Sequence, residues 1–526
     1  MRIKEKLQHI IKNSLIKLEV SKKLNEIIIE TSKEDNYDYY TNIAITLAKD
    51  IHKKPEDIGE LIKQNINDEL IEKIEIVYPG TLNIYLNKKH LINGIKEIIE
   101  KNINYGRNNI GGSRKINIDF INDEFCEDLN INNIFNAIYG DNLSRILRYN
   151  GFEVTKEYYI NDTSEALGEL AEISKKKYEN ICKSNINIDE INKEKDNIRD
   201  TASDIYKMYR DIKLGEKIEY FKKEEFSTII DNKKIKLDKY RINFDIYTNE
   251  QALYDKGIID EILDKLNKKG YTYFNDSKLW IKTTDYGDIK DRILIEEDGT
   301  YTYILPLVAY HMDRLKRKYD GLINIYNIDN IEKKGILESI LQMLEQNTSK
   351  IEIKILNNIQ LYNDKQELKD IEKITKDIGV NSIRYILSMQ DTKSSAEINI
   401  NNIAKENNID YIEETLRKLN KILKNSNKKI TKANDFGTIN SSIAYSMIKK
   451  LFEFEDIVIV AALRQKPNLI CNYLIELIKI FNDYHKEEQI ITNDEIYTNE
   501  RLNLLLAIKI IINNALDLIG IIPRED

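Results

Sequence analysis

Apolar positions three and four apart give way along this chain to short period-two runs, and each change of period marks a part. Residues 18–32 and 58–66 carry the helical spacing and predict amphipathic helices. Residues 74–78 and 82–86 alternate as strands do, with the turn signal Pro79-Gly80 between them, so a hairpin is expected there. Residues 102–115, with Tyr105-Gly106 and Gly111-Gly112, form a connector rich in glycine and asparagine. From 115 to 391, strand-like segments rich in Ile and Tyr alternate with helical ones, the pattern of a parallel α/β sheet. Within it, 118–147 reads as a short apolar strand, a polar loop and an amphipathic helix, and 185–220 as charged and helical. From 398 onward the helical period holds throughout; 413–424, 463–484 and 501–518 predict a bundle.

Composition narrows this only a little. A chain of 526 residues is long enough for three or four domains with sizeable cores. Hydrophobic residues at 41% and charged residues at 32% exclude the disordered and membrane classes. A net charge of -8 offers no global attraction for nucleic acid, so RNA binding has to rest on local patches, and DNA is not an expected partner. Cys126, Cys182 and Cys471 are far apart and form no CxxC pair, which points to free thiols in a reducing cytoplasm and to no metal site. The first twenty residues carry charges throughout and are not a secretory signal. Nowhere do about 18 uncharged apolar residues run together, so no membrane partner is expected.

The stretch IDFINDEFCEDLNINNIFNAIYGDNLSRIL at 118–147 resembles the first strand, loop and helix of class I aminoacyl-tRNA synthetases, and the arginyl-tRNA synthetase family most closely. Further landmarks follow in the family's order. They are Glu157-Tyr158-Tyr159-Ile160-Asn161-Asp162, Phe244-Asp245 with Glu250, Leu279-Trp280, Lys290-Asp291-Arg292, Asp298-Gly299-Thr300, and Asp517-Leu518-Ile519-Gly520 near the end. The resemblance implies a multidomain α/β plus all-α protein. Residues 1–101 would be an additional α+β domain of the kind that grips the tRNA corner, and 102–115 a linker. Residues 116–395 would form a Rossmann-like parallel-sheet core with an insertion at about 163–280, and 396–526 a helical DALR-type anticodon-binding domain.

The same resemblance locates the chemistry and shows it altered. Class I synthetases join an amino acid to the α-phosphate of ATP, which requires donors and positive charge where phosphate charge develops. The family's HxGH tetrad falls on Asn130, Ile131, Asn132 and Asn133, so both histidine positions are amides and the glycine position carries a side chain. The loop before it holds Asp123, Glu124, Glu127 and Asp128 where a triphosphate would lie. Each like-charge contact at ~4 Å costs on the order of 1–4 kcal/mol. The family's KMSKR-type loop has no counterpart, because residues 362–370 are too short for it. The lysine that compensates in some members is Glu127 here. For arginine recognition, the resemblance maps Asp119, Glu124 and Tyr303 onto substrate-binding positions, while the aspartate that pairs with the guanidinium is Leu307. Gly140, Asp141, Leu143 and Arg145, with Asn161 and Asp162, read as structural.

RNA contacts are less altered. Arg417, Lys418, Lys421, Lys424, Lys428, Lys429 and Lys432 lead into the expected anticodon-binding bundle and suit phosphates. Asn83 and Tyr85 fall near positions that read the tRNA corner in relatives. The leading expectation is a catalytically degenerate homologue acting by binding tRNA or a protein, with no cofactor. One alternative is an active, divergent arginine–tRNA ligase using ATP and Mg²⁺; the other is a remodelled pocket for a different cationic ligand.

Overall fold

The computed structural model describes residues 2–17, 27–32, 37–121, 125–184, 200–364, 366–392, 395–400, 408–425, 431, 433 and 436–524. Two compact units divide the chain: 1–107 with 408–518 and 522–526, and 108–407 with 519–521. The segments expected as separate N- and C-terminal domains thus belong to one unit. Helix Lys88–Lys101 packs there on Glu495–Leu518 and Ser442–Leu463. A Cβ at Gly94 would stand 2.2 Å from the Phe452 ring, so glycine is what lets that helix approach so closely.

The N-terminal part of this unit is an antiparallel sheet in the order Glu30–Thr31, Tyr39–Thr41, Thr81–Leu86, Ile71–Val77. The expected hairpin forms, with Val77 opposite Thr81. The helix expected over 18–32 is corrected at its described end. Glu30 and Thr31 pair with Tyr40 and Tyr39 as an edge strand, and the partner strand overrides the local helical spacing. Among the described residues of the C-terminal part, helices Asn408–Asn425, Ser442–Leu463, Asn468–Glu487 and Glu495–Leu518 follow. The helix expected from 463 starts later, because one helix ends at Leu463 and Pro467 opens the next.

The second unit is built on five parallel strands in the order Ile351–Leu356, Gly321–Asn327, Lys115–Asp119, Glu153–Ile160, Ile246–Asn249. The chain starts in the middle of this sheet and winds outward both ways, so the order reverses between Lys115–Asp119 and Gly321–Asn327. In such sheets a crevice opens at that switch point, beyond the carboxyl ends of the strands. The range expected as one insertion, about 163–280, is divided. Helices Glu165–Ser184, Thr201–Tyr209 and Ile218–Lys239 gather around a core of their own that includes Tyr178, Ile205 and Phe221. Ile246–Asn249, by contrast, is the outer strand of the main sheet. Residues 185–199 of the charged segment lie outside the described residues. The connector is anchored as well: the Gly111 and Ser113 amides donate to Asn150 O and Gly151 O, both at 2.9 Å.

Candidate functional site

One helix carries the positions that matter most, Ile131–Tyr149, directly after the strand Lys115–Asp119 and its loop. Its inner half is fixed by packing. At Gly140 a Cβ would lie 2.2 Å from Phe120, so the helix can sit on the strand end only with glycine there. Asp141, 1% exposed, receives Arg384 at 2.8 Å, Arg145 at 2.9 Å and Lys156 at 3.1 Å. Burial alone would raise its pKa, but these three cations outweigh burial and hold the carboxyl below its usual range. Arg384 also donates to Asn142 Oδ1, Ile519 O and Tyr240 O. Gly140, Asp141, Leu143 and Arg145 are therefore packing and ion-pair residues, as their sequence setting implies.

The outer end of the same helix faces a cavity of about 660 Å³. Asn130 is its N-cap. Its side-chain oxygen accepts the Asn132 and Asn133 amides at 2.9 and 3.1 Å, while Asn133 Oδ1 accepts the Asn130 amide at 2.9 Å. This is a reciprocal capping box, which satisfies donors that a helix start otherwise offers to an anion. Asn132 Oδ1 accepts the Ile359 amide at 2.8 Å and ties the helix start to the strand Ile359–Asn363. The sequence carried a sign of this, since an Asn followed three residues later by a second amide is close to the capping pattern. Strand Ile359–Asn363 pairs with Gln366–Leu368, with Asn363 opposite Gln366.

Asp119, at the end of the central strand, lines the cavity with only 1% of its surface exposed. Burial pushes its pKa up to about 7, with Glu157 adding to the rise and Arg314, Lys333 and a hydrogen bond from Tyr310 opposing it. Tyr303 stands half exposed at the rim, at the start of helix Ile304–Lys316. Leu307 and Tyr310, four and seven residues on, share its helix face and also line the cavity. Glu124 lies outside the described residues. Of the other loop acids, Glu127 and Asp128 line the cavity, and Lys236 pairs with Asp128 at 2.9 Å.

Several lining groups were not among the sequence-derived site residues. Glu250 is buried and accepts the Tyr159 hydroxyl at 2.5 Å and the Thr163 hydroxyl. Burial raises its pKa, and those hydroxyls only partly offset the rise. The buried Tyr326 hydroxyl has no hydrogen-bond partner among the described residues. The signal was available, because Tyr159, Asn161, Glu250 and Tyr326 all sit at or just past the carboxyl ends of the sheet strands. Asn161 lines the cavity, whereas Asp162 is a strand-end linker that accepts Asn249 Nδ2 at 3.1 Å and the Gln251 amide at 2.9 Å. Below the cavity, Glu157 accepts Arg317 at 2.7 Å, Thr248 at 2.6 Å and Asn117 at 2.7 Å. Among the described residues no group of three or more His, Cys, Asp or Glu side chains is arranged to hold a metal ion.

The residues expected to meet RNA lie in the other unit. Arg417, Lys418, Lys421 and Lys424 are exposed on helix Asn408–Asn425, with Lys418 paired to Glu414 at 3.5 Å. Lys428, Lys429 and Lys432 lie outside the described residues. Asn83 and Tyr85 share the sheet face opposite the buried Leu82, Ile84 and Leu86. The Tyr85 hydroxyl donates across the hairpin to Glu75 at 2.5 Å, and Lys73 lies over its ring. Among the described residues no helix is long and apolar enough to cross a membrane.

Comparison with known proteins agrees with this layout. The arginyl tRNA synthetase N-terminal domain matches residues 5–86, the class I (R) tRNA synthetase catalytic domain 94–369, and the DALR anticodon-binding domain 412–526. An arginine–tRNA ligase of Staphylococcus aureus is 31% identical over 547 aligned positions, covering 100% of this chain and 99% of the relative. One of Staphylococcus carnosus is 30% identical, covering 95% of each. The solved arginyl-tRNA synthetase of Thermus thermophilus superposes with a TM-score of 0.75 at 16% identity, over 99% of this chain and 100% of that one. That of Plasmodium falciparum superposes with a TM-score of 0.74, also at 16% identity, over 99% of each. With all three domains matched in order along nearly its whole length, the chain belongs to the arginyl-tRNA synthetase family.

Proposed function

We propose that this protein binds tRNA without forming arginyl-adenylate, acting in the cytoplasm as a catalytically degenerate member of its family. The observation that carries the reading is the capping box at the cavity. Asn130 and Asn133 spend their side-chain oxygens on the helix's own amides, and Asn132 spends its oxygen on Ile359. A triphosphate entering there would meet capped amides, with Glu127 and Asp128 on the same cavity wall. Catalysis of adenylate formation depends on fixed donors and cations at the developing charge. Of the lining residues only Lys333 is a base. The exposed cations of helix Asn408–Asn425 and the match to an anticodon-binding domain support tRNA as the partner.

The test is arginylation of total tRNA, run beside a gel shift with the same tRNA. The reading expects retarded tRNA and no charging above background. Charging above background would sink the degenerate reading, and absence of any shift would remove tRNA as the partner.

A further inference from the structure

A smaller sheet in the unit that holds the cavity presents an aromatic face to solvent. Its antiparallel strands lie in the order Arg292–Ile295, Lys278–Ile281, Thr272–Asn275. Side chains alternate between the two faces of such a sheet. The inner face is filled, since Ile281 and Leu294 belong to a core shared with Leu305, Val308 and Ile340. On the other face Tyr273, Trp280 and Ile293 stand opposite one another in one row, and all three are part-exposed. The Tyr273 and Trp280 rings stack with centroids 6.4 Å apart and 17° between their planes. Lysines of the chain lie over Tyr271 and Tyr303. Among the described residues none lies over Tyr273 or Trp280, so these two ring faces are open to a cation from outside.

The charge around this row decides what it attracts. Residues 272–300 hold seven acids and four bases. Arg292 pairs with Asp288 at 2.7 Å and Glu332 at 2.6 Å, and Lys278 with Glu296 at 2.7 Å. That leaves Asp276, Asp285, Asp291, Glu297 and Asp298 against Lys282 and Lys290. Asp291 stands beside the row itself, because it accepts the Tyr273 hydroxyl at 3.0 Å. This excess of carboxylates repels phosphate and attracts ammonium and guanidinium groups, which the ring faces also favour.

We infer that this face docks a basic segment of a protein partner, one rich in lysine or arginine. A cationic head lies over the Trp280 ring, its aliphatic stem runs along Ile293, and neighbouring heads meet Asp291 and Glu297. Tyr273, Trp280, Ile293 and Asp291 do not line the cavity, so the docking is independent of what happens there.

Trp280 is the chain's only tryptophan, so its emission reports this face directly. Titrating the full chain with a peptide alternating lysine and glycine should change that emission saturably. The glutamate–glycine peptide of the same length and an oligouridylate should leave it unchanged. With a dye-labelled lysine peptide followed by anisotropy, Trp280→Leu should bind at least about 5-fold more weakly than the parent. Glu297→Gln, at an exposed position, should bind about two- to threefold more weakly while melting with the parent, so its loss reads the site rather than the fold. The inference is overturned if the lysine peptide leaves the emission unchanged, if the oligouridylate changes it at the same concentrations, or if both variants bind the peptide as the parent does. Each of those results leaves the absence of charging untouched.

Discussion

The two ends of helix Ile131–Tyr149 are held in different ways. At the inner end, Gly140 lies against Phe120, and Asp141 gathers Arg384, Arg145 and Lys156. Each of those contacts supports the fold. At the outer end, nothing in the fold requires histidine or glycine. Three asparagines there close the helix on itself and on Ile359. Burial and ion pairs fix the inner end, whereas exposed amide hydrogen bonds close the outer one.

Breaking the inner end should have the largest effect. Asp141→Ala leaves Arg384 and Lys156 buried without their carboxylate and should cost about 3–5 kcal/mol, read as a lower urea midpoint. Gly140→Ala forces a methyl into the Phe120 ring and should cost about 1–3 kcal/mol in the same assay. At the outer end, Asn130→Ala removes a cap and should cost only about 1 kcal/mol, with tRNA retardation unchanged.

The cavity floor makes a pH prediction that separates two buried groups. His311 is fully buried, and burial lowers its pKa from 6.5 to about 3, with Arg314 adding to the fall. Its folded value lies below its unfolded one, so its contribution to stability is full above about pH 6.5 and is lost as pH falls toward 3. Asp119 is raised from 3.8 to about 7 among Arg314, Glu157, Lys333 and Tyr310, so its contribution is lost as pH rises through that window. The two slopes oppose each other. Asp119→Asn removes the falling one, so between pH 4 and 7 the variant's urea midpoint should climb with pH more steeply than the parent's. Equal slopes would contradict the assignment of the titration to Asp119.

Much of this was legible in the chain. The hairpin around Pro79-Gly80, the alternation of strands and helices, and the bundle could all be read from local patterns. What could not be read depended on distant partners. Glu30–Thr31 is a strand only because Tyr39 and Tyr40 pair with it, and Ile246–Asn249 belongs to the main sheet only through Glu157 to Ile160. Glu250 and Tyr326 become cavity residues because the sheet order brings strand ends together that are far apart in sequence. The raised pKa of Asp119 has no sequence signal, since it arises from burial among groups distant in sequence.

The most direct test of the central claim is tRNA-dependent exchange of pyrophosphate into ATP, measured with saturating arginine, Mg²⁺ and tRNA. The account predicts exchange no faster than in a sample without protein. Arginine-dependent exchange above that level would mean that the capped helix start and its acidic wall still support adenylate formation, and would contradict the account.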